Sequence, residues 1–239
     1  MAAAGISAIA GLVRGFSGFG SALIYIPLIS AVYSPRAAAV TLLIIDFMGA
    51  MWPAIHARRQ CDYRDVIPIA IAASIAAPFG TLLLLVASPT TLRWCISVMV
   101  LGLLAVLISG WRYRGTPTLP LRATLGVIGG LTQGATQIGG PLLIVYWLST
   151  AAPVVVRANL LIYFQLVGIV YLITYAWQGV FDATSIALIV MLAPPFFLTI
   201  GIGSFFYRSA SDRLYRQIAY IIVAIAALVS LPLFDGLLR

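Results

Sequence analysis

The stretch GLVRGFSGFGS, residues 11–21, decides how this chain folds. It lies in the middle of an apolar segment at residues 2–33, the first glycine segment, whose one charged residue is Arg14. Glycine inside a helix costs about 1 kcal/mol relative to alanine, so four glycines in eleven residues predict a break in the helix. A charge at the centre of an apolar segment is costly as well, which makes Arg14 a candidate functional residue.

A related stretch, GLTQGATQIGG, occurs at residues 130–140 inside a second apolar segment at residues 123–152, the second glycine segment. At an offset of 119 residues, three glycines and one hydroxyl position coincide between the two stretches. Each segment is followed by a short arginine-containing start of the next helix, PRA at 35–37 and VRA at 156–158. This preserved order predicts two repeats, at residues 1–115 and 121–239.

The composition predicts an all-α integral membrane protein. Hydrophobic residue types make up 62% of the 239 residues and charged types 8%, against about 25% charged residues in ordinary soluble domains. The apolar segments are close to or longer than the ~20 residues that cross a bilayer as a helix. We predict a single membrane domain, residues 1–239, with eight such segments: 2–33, 36–55, 66–87, 92–111, 123–152, 158–177, 183–206 and 217–234.

The two glycine segments, at about 30 residues each, are too long for one untilted crossing. If the chain enters the membrane, breaks and returns, each half-helix has ~12 residues and a length of ~18 Å. That length reaches just past the middle of a ~30 Å hydrocarbon core. We therefore predict that each repeat contains one broken or re-entrant glycine segment and three transmembrane helices.

The arginines, which supply all of the positive charge, support this arrangement. If all eight segments cross the membrane, seven arginines lie on one side and six on the other, which gives no orientation. If the second glycine segment re-enters, one side has ten and the other has three, a positive-inside pattern. Corresponding loops then have opposite charge bias, as inverted repeats require. In the re-entrant arrangement, the side with three arginines has Arg36, Arg93 and Arg239.

Two breaks that meet near the membrane midplane would form a polar cavity, because irregular backbone at that depth must be covered by protein or water. The return half-helices would direct their N-terminal N–H groups into it, and this favours an anion. Predicted substrate contacts are Arg14, Ser17, Gly18, Gly20, Gln133, Thr136, Gln137, Gly139 and Gly140. Asp46 and Gln165, in the middle of the helices that follow, are predicted to act in coupling or gating.

Each of these residues also has a structural interpretation. Arg14 could extend to the membrane surface or pair with Asp46, and Asp46 could be that counter-ion, a proton carrier or part of a gate. The hydroxyl and amide residues could serve helix packing. Thr41 and Asn159 are further candidates for polar contacts.

Other function classes lack the residues that they need. His56 is the only histidine, and the two cysteines, Cys61 and Cys95, form neither a disulfide framework nor a metal set. No phosphate-binding loop, dinucleotide fingerprint or zinc-protease motif is present. The arginines lie in short gaps between apolar runs, so they indicate membrane loops rather than nucleic-acid binding. We expect no cofactor, no metal, no nucleic-acid partner and no enzymatic activity. The start of the chain lacks a basic region, so no cleaved signal peptide is expected.

The whole chain resembles the TauE/SafE sulfite-exporter family. The resemblance lies in the glycine-rich stretches at 11–27 and 130–141, the arginine-containing helix starts, and the motifs PFG at 78–80 and GIG at 201–203. It implies a multi-pass permease of the bacterial inner membrane that exports sulfite, sulfoacetate or a related anion by alternating access. An anion channel and a proton- or sodium-coupled importer are the alternatives. The small anion and the lipid bilayer are the expected partners, and the oligomeric state is left open.

Overall fold

The computed structural model describes residues 2–88, 90–92 and 117–209, together with isolated positions between 94 and 115 and at 217 and 221. The predicted segments at 92–111 and 217–234 therefore lie outside the described residues, apart from such positions. Helices α1 to α4 are Ala2–Ser17, Ser21–Val32, Pro35–Ala57 and Tyr63–Val86, with a 3₁₀ turn at Arg58–Gln60. Helices α5 to α8 are Leu119–Thr136, Gly140–Thr150, Pro153–Trp177 and Ala183–Ser209.

Four helices in the described part of the chain are long and apolar enough to cross a membrane. They coincide with the segments predicted at 36–55, 66–87, 158–177 and 183–206. Many of their large apolar side chains are exposed on the outside of the bundle, where lipid would cover them. The prediction of an all-α, multi-pass membrane protein is confirmed. The spans are Pro35–Gln60, Tyr63–Val86, Pro153–Trp177 and Ala183–Tyr207.

Both glycine segments are broken, and the two breaks begin with the same turn, although the paired positions that follow it, Gly20 and Gly139, differ with φ of 91° and −96°. Gly18 and Gln137, which are separated by the repeat offset, both adopt left-handed backbone, with φ of 76° and 57°. The residue before each one, Ser17 or Thr136, accepts a hydrogen bond from the backbone N–H two positions later, at 3.3 and 3.2 Å. The second break has Gln137 where the first has Gly18, and the glutamine adopts the same left-handed conformation.

The second glycine segment folds back on itself. Arg122, near the start of α5, donates from Nε to Asp65 Oδ1 at 2.6 Å. Tyr146 and Trp147, near the end of α6, donate to the same carboxylate at 2.8 and 2.6 Å. Both ends of the segment therefore lie at the start of α4. Helix α5 begins at Leu119, four residues before the boundary predicted from sequence. The residue before it is extended and a proline lies in its first turn, and both features favour a helix start at this point.

Contacts near both ends of the first glycine segment lead to the same region of the structure. Ser7, early in α1, donates to the carbonyl of Leu192 in the first half of α8 at 2.7 Å. Arg36, at the start of α3, donates to the carbonyl of Val180 just before α8 at 2.9 Å. The start of α1 and the end of α2 thus both lie near the beginning of α8.

Glycines on one face of α1 and of α5 allow these helices to pack closely against their neighbours. Each of the two helices packs on a helix of the other predicted repeat. In α1, a Cβ added at Gly15 would collide with the carbonyl oxygen of Ile200 in α8. In α5, a Cβ at Gly130 would lie 2.5 Å from the carbonyl oxygen of Ala73 in α4. Small residues allow this close backbone approach between membrane helices, where dispersion and hydrogen bonding replace the hydrophobic effect.

Helices α3 and α7, the counterparts in the two predicted repeats, run antiparallel to each other. Arg36 at the start of α3 contacts Val180 just after α7, while the N–H of Asp62, just after α3, donates to Asn159 Oδ1 near the start of α7 at 2.8 Å. Opposite ends of the two helices are therefore neighbours.

We expect Gly15→Ala and Gly130→Ala to lower the apparent melting temperature of the detergent-purified protein. Each added methyl group overlaps a neighbouring backbone, and such overpacking costs about 1–3 kcal/mol. Gly201→Ala in α8 is the matched control, because a Cβ there meets no atom within 4 Å among the described residues. Equal melting temperatures for all three variants would contradict this packing.

Candidate functional site

A cavity of about 40 Å³ lies between the two helix breaks. It is lined by α1, α2, α3, α5, α6 and α7, so the two predicted repeats both contribute to it. Six of the residues predicted from sequence line it: Arg14, Gly20, Asp46, Gln133, Gln137 and Gly140.

Arg14 is the buried charge of this cavity, with a side chain that is 1% exposed. Its Nη2 lies 2.8 Å from Asp46 Oδ2, and its Nη1 donates to the carbonyl of Gly18. The guanidinium carbon lies 4.9 Å from the centre of the Phe164 ring, within range of a cation–π interaction. Arg14 therefore pairs with Asp46 and does not extend to the membrane surface.

The Arg14 guanidinium keeps hydrogen-bonding capacity that the described protein atoms do not use. Its Nε has no hydrogen-bond partner among them, and its Nη2 lies at ion-pair distance from Asp46 without the alignment of a hydrogen bond. Asp46 also accepts a hydrogen bond from the Ser21 hydroxyl at 2.8 Å, and its side chain is 18% exposed. A buried donor without an acceptor costs about 1–3 kcal/mol, so an acceptor in the cavity would be stabilised here.

Two helix N-termini begin at the cavity. Helix α2 starts after Gly20 and helix α6 after Gly139, and in the structure as described neither has a side-chain cap. Ser21 and Ala22 of α2 and Gly140 of α6 line the cavity. Uncapped N–H groups and the positive ends of two helix dipoles favour a negative charge between them.

The polar side chains of the second break are neutral and bonded within the protein. Gln133 Oε1 accepts from the N–H of Gly139 at 3.0 Å. Gln137 Nε2 donates to the Tyr175 hydroxyl at 2.9 Å, and this hydroxyl donates to the carbonyl of Gly134 at 2.9 Å. These bonds hold the break in shape, so the positive charge on the cavity comes from the first break.

The remaining predicted residues stand behind the cavity or away from it. Ser17 and Thr136 donate to carbonyls one helical turn earlier, those of Val13 and Thr132. Gly18 adopts the left-handed turn conformation, and Gly139 directly precedes α6. Gln165 Nε2 donates to the carbonyl of Phe47 at 3.0 Å. Of the further candidates, Thr41 bonds to Tyr25 and Asn159 bonds to the N–H of Asp62. The structure thus gives these residues positioning contacts.

The apolar walls of the cavity were missed by sequence reasoning. Phe47 and Phe164 line it, and their rings fill the space left by glycines: a Cβ at Gly168 would lie 2.8 Å from Phe47, and one at Gly140 would lie 2.9 Å from Phe164. Each phenylalanine is next in sequence to a predicted site residue, Asp46 or Gln165. This adjacency is the one sequence feature that could have indicated the phenylalanines as cavity residues.

Asp65 was also missed, and it forms the base of the second glycine segment. It is 6% exposed and accepts hydrogen bonds from Arg122, Tyr146 and Trp147. It lies one residue before the predicted apolar segment, where it read as part of a loop. Within the described ranges, no three His, Cys, Asp or Glu side chains lie close enough together to hold a metal ion.

Helices long enough to span a membrane surround a cavity with polar side chains, an arrangement expected of a membrane transport protein. The family described as "Sulfite exporter TauE/SafE" matches residues 3–230. The chain belongs to the TauE/SafE sulfite exporter family. Its members are transporters for sulfite and related anions, which makes a small anion the expected substrate class. No curated protein and no solved structure gives a significant match to the chain.

We expect Asp46→Asn to destabilise the protein more than the double variant Arg14→Gln/Asp46→Asn does. The single change leaves the Arg14 charge buried without its counter-ion, which costs about 3–5 kcal/mol, whereas the double change removes both charges. Apparent melting temperatures in detergent measure the order. Arg64→Gln, at an exposed position, is the control. A double variant at least as unstable as Asp46→Asn would show that the pair is not the source of the effect.

Proposed function

We propose that this protein exports a small sulfur oxyanion of the sulfite class, which binds between the two helix breaks and against Arg14. The observation that carries the proposal is the buried guanidinium with an unused donor, at a cavity where two uncapped helix N-termini begin. Arginine suits this role because its planar donors match the oxygens of an oxyanion in pairs. The helix termini add donors without adding another ionisable group.

The size of the cavity favours a compact anion. A volume of about 40 Å³ has room for about three or four waters at roughly 10–15 Å³ each. Sulfite is on that scale. Sulfoacetate, with its additional carboxylate arm, would require the walls at Phe47 and Phe164 to move apart. We therefore place sulfite ahead of the larger sulfonates.

We infer that the two halves, residues 1–115 and 121–239, are inverted repeats that alternate access to this cavity. Three observations support the inference: the matching turns at the two breaks, the fold-back of both glycine segments, and the antiparallel packing of α3 and α7. With both glycine segments re-entrant, the arginine-rich ends face the cytoplasm. The membrane would then be the inner membrane of a bacterial-type cell.

Export needs no coupling ion. Moving one negative charge out of a negative interior releases about 2.3 kcal/mol per 100 mV. The ion pair between Arg14 and Asp46 also makes proton-coupled uptake a second candidate. A proton on Asp46 would break the ion pair, and Arg14 could then bind the anion. Anion flux can be measured in vesicles at imposed membrane potentials and pH gradients. Flux that depends on the membrane potential but not on the pH gradient would support export over proton-coupled uptake. Flux that fails to saturate with anion concentration would indicate a channel.

We expect sulfite to raise the apparent melting temperature of the purified protein, and we expect Arg14→Gln to abolish this shift. Ligand that binds only the folded state stabilises by about 2.7 kcal/mol at one hundred times Kd. The screen compares sulfite, sulfate, thiosulfate, sulfoacetate, taurine and matched carboxylates. Arg64→Gln, which also removes one positive charge, should retain the shift. Stabilisation by no sulfur anion would refute the substrate, and a shift that persists in Arg14→Gln would refute the role of Arg14.

Cysteine labelling tests the re-entry of the second glycine segment. The native thiols are replaced first; burial and the neighbouring carboxylate of Asp62 raise the pKa of Cys61 to about 11, so it is a poor reporter. In a Cys61→Ser/Cys95→Ser background, Thr118→Cys and Ala152→Cys should react with an impermeant maleimide from the cytoplasmic face. Tyr33→Cys should react from the opposite face. Labelling of positions 118 and 152 from opposite faces would mean that the segment crosses the membrane.

A further inference from the structure

Two aromatic rings, those of Phe47 and Phe164, line the cavity between the helix breaks, and we call them the phenylalanine wall. Phe47 belongs to α3 and Phe164 to α7, so each predicted repeat contributes one ring. Gln165 Nε2 donates to the carbonyl of Phe47 at 3.0 Å, and this bond connects the two helices beside the rings. The wall is therefore built where the two halves meet.

Each ring of the phenylalanine wall lies against a glycine that also lines the cavity. A Cβ at Gly168 would lie 2.8 Å from Cδ2 of Phe47. A Cβ at Gly140 would lie 2.9 Å from Cζ of Phe164. In a densely packed interior, a methyl group at either glycine would displace the ring or take space from the cavity. The free volume of the site thus depends on the side chains at these positions.

The two rings differ in how they relate to the buried cation. The guanidinium carbon of Arg14 lies 4.9 Å from the centre of the Phe164 ring, so a change at Phe164 would alter the surroundings of the charge as well as the volume. Phe47 lies against Gly168, which has neither a side chain nor a charge. A change at Phe47 therefore changes the volume of the site and leaves the contact between Arg14 and Phe164 in place.

The site offers different chemistry to the two ends of an organic sulfonate. Arg14 and the uncapped first turns of α2 and α6 offer hydrogen-bond donors to the sulfur oxygens. The phenylalanine wall offers no donor, and a polar group that leaves water without a partner is destabilised. An apolar arm avoids this cost but needs volume, and about 40 Å³ leaves little beyond the oxyanion itself.

We propose that Phe47, packed against Gly168, sets the upper size limit of the transported anion and excludes sulfonates that have a carbon arm. This inference rests on the proposed function, because it assigns the residue that selects among the anions of the sulfite class. Phe164 completes the wall beside Arg14. A smaller side chain at position 47 admits an alkyl arm, and a larger one at position 168 excludes sulfite itself.

The test measures the binding of sulfite, methanesulfonate, ethanesulfonate and propanesulfonate to the detergent-purified protein. Kd for each anion is obtained from the dependence of the apparent melting temperature on its concentration. Within the three sulfonates the charge and the sulfonate group are constant, so only the length of the apolar arm varies. In the unmodified protein, we expect ethanesulfonate to bind at least about tenfold more weakly than sulfite, since one methylene group is worth about 10–200-fold in a tight apolar site.

Phe47→Leu should lower the ratio of the ethanesulfonate Kd to the sulfite Kd by about tenfold, because the smaller side chain leaves room for the arm. The ratio compares two ligands in one variant, so a general loss of stability leaves it unchanged. Gly168→Ala should weaken sulfite binding by about tenfold, and Phe47→Leu in the same chain should restore it. Phe79→Leu is the matched control, because this ring on α4 is 65% exposed on the outside of the bundle.

A ratio that Phe47→Leu leaves unchanged would overturn the proposal, and so would a double variant that binds sulfite no better than Gly168→Ala. If Phe47→Leu does not fold, two measurements with Phe47 intact still decide. Equal affinities for sulfite and ethanesulfonate in the unmodified protein, or full sulfite affinity in Gly168→Ala, would overturn the proposal. Absence of sulfite binding to the unmodified protein would refute the proposed function, whereas sulfite binding without size selectivity refutes the role of Phe47 alone.

Discussion

The rest of the structure depends on one constraint: peptide groups exposed by a helix break inside a membrane must find partners without bulk water. At each break, the protein meets most of this demand locally. Ser17 and Thr136 accept N–H groups at the turns, and the long side chains at the paired positions, Arg14 and Gln133, bond back to the turn backbone. The first turns of α2 and α6 have no side-chain cap, and residues from both turns line one cavity.

The two breaks begin with the same turn but have different electrostatics. The first has an ion pair between Arg14 and Asp46, while the second has amides satisfied by protein groups. The bases of the two glycine segments differ as well. Asp65 ties both ends of the second segment through three side chains, whereas in the first segment Ser7 bonds to a backbone carbonyl. The charged pair at the cavity therefore belongs to the first break, whereas the second break contributes neutral side chains that are bonded within the protein.

The sequence predicted the features that arise from local chemistry. Glycine clusters, the spacing between them and the apolar lengths were enough to predict both breaks, four of the spans and six of the cavity residues. It did not predict which surfaces meet. A glycine face, such as that of Gly15, shows that some backbone comes close but not that the backbone belongs to α8. For the same reason Asp65 read as a loop residue, because its partners are distant in sequence and are brought near only by the packing of the halves.

The packing of α1 on α8 also determines when this protein can be completed during synthesis. Ser7 and Leu192 are 185 residues apart, and Gly15 and Ser204 are 189 apart. The glycine face of α1 is therefore made first, and its helical partner is among the later parts of the described chain to leave the ribosome. Until then, lipid or the insertion machinery must cover the broken backbone and Arg14. During synthesis, the segment that contains Arg14 is therefore in the membrane well before the helix against which it packs has been made.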